Sequence, residues 1–320
     1  MSALVSNPNN IRLAMLGMVD GNGHPYSWSA IFNGYDRQAM SECPYTGIPK
    51  YLFAEDPKTL QIEGARVTHI WTEDPKDALH VSKASRIPNV VEKPTDVIGK
   101  VDAVVISTDK GWEHVERARP FIEAGLPVFI DKPLVDNEAD LKVFQRWVRE
   151  GRHILSSSGM RYAKEFVDVK KRLGEIGEPR FLLNTTPKSW ERYGIHAAEG
   201  LYPILGPGYL SVRNTGSSDR NIVHCKHRCG ADVVLVASKD MVGGFCRLSI
   251  IGTKGAIDAP FVDTFFAFKS QLMAFVDFLR TGERPFPWSD TVELMKIIIA
   301  GIRSRDEGGR EVFLSEIGEE

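Results

Sequence analysis

The first residues whose spacing suggests chemistry are Gly17-Met18-Val19-Asp20-Gly21-Asn22-Gly23. A turn of this kind between a strand and a helix lets backbone N–H groups and the helix N-terminus approach a pyrophosphate. In the G-x-G-x-x-G frame started at Gly17, Val19 and Asn22 stand where the second and third glycines belong, and Asp20 brings a carboxylate toward the phosphates. The same residues can also form a tight turn that holds no ligand. A nucleotide site would next require an acidic residue closing the second strand, to accept the ribose hydroxyls; Thr72, Glu73 and Asp74 are the candidates. His24, with Pro25, Tyr26 and Trp28, can enter such a site or pack at a helix start.

A second group, Lys188, Trp190, Arg192 and Tyr193, precedes His196, and Arg161 can approach from a strand end. Aromatic rings beside cations suit a sugar or cyclitol bearing a carboxylate or phosphate, and they suit an interface equally well. Glu199, three residues after His196, shares a helix face with it and can orient the imidazole. Strand alternation would put Cys225, His227 and Cys229 on one face, a set able to ligate zinc. No fourth ligand lies nearby, so that face, which also carries Val223, reads as a surface or interface and no metal is expected.

The elements that must carry these residues follow from periodicity. Ile11–Leu16 is a strand, the glycine turn follows, and Tyr26–Phe32 begins a helix. Residues 36–66 contain Pro44, Gly47, Pro49 and Pro57 and form a functional loop or a small inserted element. Strand and helix then alternate: Val67–Trp71, Lys76–Ser85, Val101–Ser107, Trp112–Ala124, Val128–Ile130, a helix capped by Asn137, and Ile154–Ser157. Short joins imply right-handed crossovers and a doubly wound parallel sheet up to about residue 158. Afterwards Tyr209–Arg213, Ile222–Arg228, Val233–Ala237 and Phe245–Ile251 succeed one another as antiparallel strands do. Two amphipathic helices, Thr264–Arg280 and Thr291–Arg305, close the chain. The fold class is therefore α/β, a Rossmann domain over 1–158, followed over 159–320 by an α+β domain with a largely antiparallel sheet.

Asp131-Lys132-Pro133 directly follows a buried strand, and on its own Lys132 reads as a surface lysine. The tripeptide resembles the E-K-P hallmark of the Gfo/Idh/MocA family of NAD(P)-dependent oxidoreductases, in which a histidine stands seventeen residues before the acid, as His114 does here. Ser158-Gly159-Met160-Arg161-Tyr162, Gly174–Arg180 and Ile251-Gly252-Thr253-Lys254-Gly255 are similar to further family segments in the right order. The resemblance implies that Thr108, His114 and Asp131 serve coenzyme binding with the glycine turn, and that Lys132 lies beside nicotinamide and substrate as a donor to the reacting oxygen. A neighbouring cation or partial burial would lower the pKa of Lys132 toward an acid–base range. Gly194 and His196 match the family pattern D-x-G-x-H-x-x-D, with Glu199 at the last position and Arg192 at the first. His196 would then exchange the proton of the substrate hydroxyl. Arg192 would lower the pKa values of Lys132 and His196 and favour an anionic substrate group.

What the resemblance implies is an enzyme that moves a hydride between nicotinamide and a carbinol or carbonyl carbon of a sugar, cyclitol or sugar acid. The alternatives are a non-catalytic dinucleotide sensor on the same fold, like the galactose-pathway repressor of fungi, and an NAD-dependent glycosidase or lyase. NAD is expected rather than NADP, because no arginine follows the second strand at Thr72-Glu73-Asp74. A homo-oligomer, dimer or tetramer, built on a sheet face is also implied.

Composition narrows the partners. Forty basic and 42 acidic side chains give a net charge of −2, without blocks of like charge, so nucleic acid and anionic membrane find no footprint. The longest apolar runs, such as Ile297–Ile302, fall far short of the roughly 18 residues of a membrane span. Arg12 and the polar Asn7–Asn10 stretch break any signal core, and the four cysteines fit reduced thiols, so a cytoplasmic location is expected.

Overall fold

The computed structural model describes residues 2–318. The first part of the chain runs β1 (Ile11–Leu16), α1 (His24–Asn33), α2 (Arg37–Ser41), α3 (Gly47–Leu52), β2 (Ala65–Trp71), α4 (Pro75–Ala84) and β3 (Asn89–Val90). It continues through β4 (Ala103–Ile106), α5 (His114–Glu123), β5 (Val128–Ile130), α6 (Glu138–Arg149) and β6 (Ile154–Ser156). The six strands form one sheet in the order β3-β2-β1-β4-β5-β6, and all its pairings are parallel. Every residue of β4, β5 and β6 is buried, as expected of parallel strands covered on both faces. Strand order reverses between β1 and β4, so a crevice opens at their C-terminal ends, directly after Leu16 and Ile106.

Local sequence explains where these elements begin. Asn137 accepts from the Asp140 N–H at 2.9 Å and so caps α6, whose Leu141, Phe144 and Trp147 are buried. Residues 36–66 hold two short helices. The segment is an inserted element packed on the start of α1: a Cβ on Gly23 would lie within 2.5 Å of the Tyr45 ring.

The second part comprises α7 (Lys164–Ile176), β7 (Pro179–Pro187), α8 (Trp190–Leu205), β8 (Tyr209–Asn214), β9 (Arg220–His227) and β10 (Asp232–Ser238). It ends with β11 (Arg247–Gly252), β12 (Ala256–Pro260), α9 (Thr264–Thr281), α10 (Trp288–Asp306) and β13 (Val312–Phe313). Its seven strands are ordered β12-β11-β7-β10-β9-β8-β13, antiparallel except for the β7–β10 pair. The fold class expected from sequence is thus the one observed.

One face of this sheet lies under α7, α8 and α10, and its apolar side chains join a single core with them. Along β9 the alternation sends Asn221, Val223, Cys225 and His227 inward and Ile222 and Lys226 outward. The expectation that Val223, Cys225 and His227 form an outer interface face is therefore corrected. They point into the chain's own core, while Cys229 lies exposed beyond the end of β9. Among the described residues no three His, Cys, Asp or Glu side chains are grouped so that they could hold a metal ion.

Helix α9 returns to the first sheet. Its Phe265, Leu272, Phe275, Val276, Phe278 and Leu279 complete the core formed by β1, α1 and β5, and the Phe275 ring lies 5.3 Å from that of Phe129. Leu4 N donates to Leu279 O at 2.8 Å, which ties the N-terminal segment to the same helix.

Candidate active site

Backbone conformation shapes the crevice first. Gly17, immediately after β1, has φ +91°, and a Cβ there would stand 2.6 Å from Thr108 Cγ2 on the loop after β4. Only glycine satisfies both conditions, and it lets the backbone come close to whatever lies in the crevice. Asn22 takes over the third glycine place by bracing two loops: its Nδ2 donates to Ser107 O (3.2 Å) and to Asp131 Oδ2 (2.9 Å). The fully buried Asp131 carboxylate also accepts from the Lys132 N–H (2.7 Å) and from His24 Nδ1 (2.6 Å). His24 is stacked on Trp28, with ring centroids 4.1 Å apart. Val19 is buried, and Asp20 is exposed.

The N-terminal turn of α8 crosses this crevice. Lys188 Nζ donates to Gly21 O (2.9 Å) and to the Tyr193 hydroxyl (2.6 Å), and Arg192 Nη2 donates to Asp20 O (3.0 Å). Arg192 Nη2 also lies 2.6 Å from Asp109 Oδ1, and Lys132 Nζ lies 3.5 Å from Asp109 Oδ2. Lys132 Nζ stands 4.3 Å from the centroid of the Tyr193 ring, and the His196 ring stands 4.8 Å from the same centroid. His196 Nδ1 is 2.8 Å from Ser158 Oγ, and its ring meets Phe245 edge-on at 5.2 Å. Glycine turn, Lys132, Arg192, Tyr193 and His196, drawn from both parts of the chain, thus meet at one junction.

Electrostatics separate the two candidate catalytic groups. Burial drives His196 well below the ordinary imidazole value, and Lys132, His24 and Lys188 reinforce that direction, so the ring is neutral. For Lys132 burial acts against the charge, but Asp109, Asp131 and Tyr193 outweigh both it and Arg192. Its pKa is raised, which corrects the expectation that burial and Arg192 would lower it. Asp109 would be pushed up by its own burial; Lys132 and then Arg192 bring it down to about 2. Sequence reasoning missed Asp109. Its signal was a carboxylate three residues past the end of β4, the strand that flanks the crevice.

Several expected roles change. Trp190 does not reach the junction: it is fully buried, donates from Nε1 to Ile298 O (2.9 Å), and packs against Gly194 and Gly301 between α8 and α10. Glu199 does not orient His196. It accepts from Ser158 N and Arg161 Nε, both at 2.6 Å, and Ser158 is the residue that holds the imidazole. Burial raises Glu199 above the usual carboxylate range despite Arg161. Arg161, engaged by Glu199 and lying 3.9 Å over the Phe286 ring, belongs to this framework and not to the substrate surface. His114 is likewise a buried brace, bonded to Leu134 O and Thr108 O at 2.9 Å each.

The residues present fit a nucleotide coenzyme. Gly17 forms a cradle that any Cβ would fill, α1 presents its N-terminus behind the turn, and Thr108 Oγ1 is buried without a partner among the described residues. At the end of β2, Thr72 is buried and gives its hydroxyl to Asp74 O (2.6 Å). Glu73 accepts from Met18 N (2.7 Å) and pairs with Arg117 Nη1 (2.6 Å). An arginine therefore does stand at this strand end, supplied by α5, which the sequence around Thr72 could not show.

Comparison with known proteins agrees with the fold. Residues 51–158 match the oxidoreductase family with an NAD-binding Rossmann fold. The chain is 38% identical over 92 residues to inositol 2-dehydrogenase 1 of Saccharopolyspora erythraea, a stretch that spans 27% of each protein. Its fold follows that of apo scyllo-inositol dehydrogenase from Lactobacillus casei with a TM-score of 0.76 at 15% identity, over 97% of this chain and 99% of that one. An oxidoreductase from Agrobacterium radiobacter, solved with NAD+, L-tartaric acid and magnesium, gives a TM-score of 0.71 at 16% identity, over 97% and 100% of the two chains. The family match takes in strands β2 to β6 of the first sheet, and the two-sheet fold is common to these structures.

Proposed function

We propose that the protein is an NAD-dependent dehydrogenase that oxidises a secondary hydroxyl of a cyclitol, sugar or sugar acid, or reduces the matching ketone. The observation that carries this reading is the convergence of Lys132 and His196 on Tyr193 beside the glycine turn. NAD, when bound, supplies the hydride acceptor. Gly17, Thr108 and the N-terminus of α1 would hold its phosphates, and Glu73 its adenosine ribose. The relatives matched in sequence include inositol 2-dehydrogenases, which supports a cyclitol before other polyols.

Lys132, an ammonium, donates to the reacting oxygen and stabilises the negative charge that grows there during oxidation. His196, neutral, takes the hydroxyl proton. Ser158 Oγ accepts from Met160 N (3.1 Å) and can still give or take a hydrogen bond at Nδ1, so either neutral tautomer of the ring is held. Lys188 and the outer edge of Arg192 would favour a substrate with an anionic group. We also propose the division of labour at residue 158, with α9 as the part of the second half that returns to the first, and a cytoplasmic location, supported by four free thiols.

The test is coenzyme reduction, followed at 340 nm, across inositols, sugars and sugar acids. Turnover should fall about 10²–10⁴-fold in His196→Ala, and Lys132→Ala should lower kcat more than it raises KM. Wild-type kcat/KM in both variants would overturn this site. Tight NAD binding without turnover of any polyol would point to a sensor, and turnover without net NADH would point to a glycosidase or lyase.

A further inference from the structure

Asp109 lies at the meeting point of the two parts of the chain. It is fully buried, and its two oxygens face different cations: Oδ1 meets Arg192 Nη2 from α8 at 2.6 Å, and Oδ2 meets Lys132 Nζ from the loop after β5 at 3.5 Å. Both partners are anchored elsewhere, Lys132 through its own N–H to Asp131 and Arg192 through Asp20 O. The carboxylate therefore cannot follow either one away. Lys132, with 2% of its surface exposed, has few other ways to keep a charge. The groups that face it are Asp109 from the loop after β4, Tyr193 and Arg192 from α8, and Asp131 from its own segment. His196 on α8 and Cys246 just before β11 are also close enough to feel its charge. Asp131 is already shared among Asn22, His24 and the Lys132 backbone, which leaves Asp109 as the carboxylate turned to the ammonium itself.

We propose that Asp109 is a positioning residue that aims the Lys132 ammonium into the crevice and, through Arg192, locks α8 to the coenzyme half while it does so. A single buried carboxylate thereby couples the charge of the reacting lysine to the placement of the helix that carries His196. The proposal rests on the dehydrogenase reading for its catalytic meaning, but the geometry can be tested without turnover.

The experiment follows the 15Nζ and Hε signals of the lysines by NMR in the full-length protein, with Lys132 assigned by the loss of its signal in Lys132→Arg. In Asp109→Asn the titration midpoint of Lys132 should fall by about 1–3 pH units relative to wild type, and Asp109→Glu should restore most of that. An unchanged midpoint in a folded Asp109→Asn protein would overturn the proposal. Should that variant be insoluble, Asp109→Asn/Arg192→Met, which leaves no uncompensated guanidinium, is compared with Arg192→Met alone; the same fall supports the proposal and its absence refutes it. On a turned-over substrate, Asp109→Asn should lower kcat about 10²-fold with little change in KM, and the alkaline limb of the alcohol-oxidation profile, where the Lys132 ammonium is lost, should move to lower pH. Absence of any dehydrogenase turnover in wild type would refute the functional reading and leave the NMR result standing, whereas an unmoved Lys132 midpoint would refute Asp109 and leave the enzyme standing.

Discussion

His196 is neutral and Asp109 ionised, yet both set a limit on acid stability. His196 has a folded pKa below that of the unfolded chain, so its contribution is complete above about pH 6.5 and is lost as the pH falls below that value. Asp109, at about 2 in the folded chain, contributes fully above the unfolded value of roughly 3.9 and loses that contribution as the pH approaches 2. Calorimetric melting points should therefore decline in two stages, and His196→Gln should flatten the decline between pH 7 and 5; an equally steep decline in that variant would refute the assignment. Trp190 shows why single residues can be misread. In sequence it is an aromatic among cations, but Gly194 and Gly301 make room for its ring: a Cβ on either would come within 2.5 Å of the indole. The glycine four residues after Trp190 was the legible sign that the ring faces a neighbouring helix. Trp190→Ala should cost about 3–5 kcal/mol in denaturant unfolding, and a loss below 1 kcal/mol would contradict its role in the core. Lys132 and His196 were legible through motif spacing, whereas Asp109 was not, since only the β1–β4 crevice brings the loop after β4 against α8.

At the scale of elements, the parallel strands were the readable part, because β4 and β5 are continuous apolar runs flanked by turn residues. By contrast β7, bounded by Pro179 and Pro187 and buried at only alternate positions along its second half, offers little periodicity until its partners β10 and β11 are in place. The junction of β1 with the glycine turn carries a direct test. Gly17→Ala combines an unfavourable φ of +91° with a 2.6 Å approach to Thr108, and should weaken NAD binding at least tenfold in a fluorescence titration while a Cα trace of the sheet is retained. At the end of β2, Glu73 occupies Arg117, which is also paired with Glu113 at 2.6 Å. With Glu73 in place, a 2′-phosphate would meet a carboxylate, and NADH is expected to bind more tightly than NADPH; Glu73→Ser would free one side of the guanidinium and should shift preference toward NADP. Unchanged relative affinities for NADH and NADPH would show that Arg117 does not reach the ribose.

The whole molecule has one sheet face left without helices. Ile222, Ile251 and Leu210 are about half exposed there, and Phe181, Leu183, Val234 and Val236 lie between them. We take this outer face, opposite the one first expected, as the surface for self-association. Ile222→Arg with Val234→Glu should reduce the sedimentation coefficient to that of a monomer, and a wild-type protein that is already monomeric at micromolar concentration would remove the idea. The return of α9 to the first sheet governs something else, the order in which the protein can be made. Strands β1 to β6 leave the ribosome early, yet the cover for Leu13, Met15, Phe129 and Leu155 is written in Phe265–Leu279. At roughly 5–20 residues per second, the gap between Ser156 and Thr281 is a wait of about 6–25 s during which this apolar face, covered only in part by α1, is incomplete. The layer synthesised first is the layer finished last, so a nascent chain stalled before α9 should be held by chaperones longer than the full-length chain.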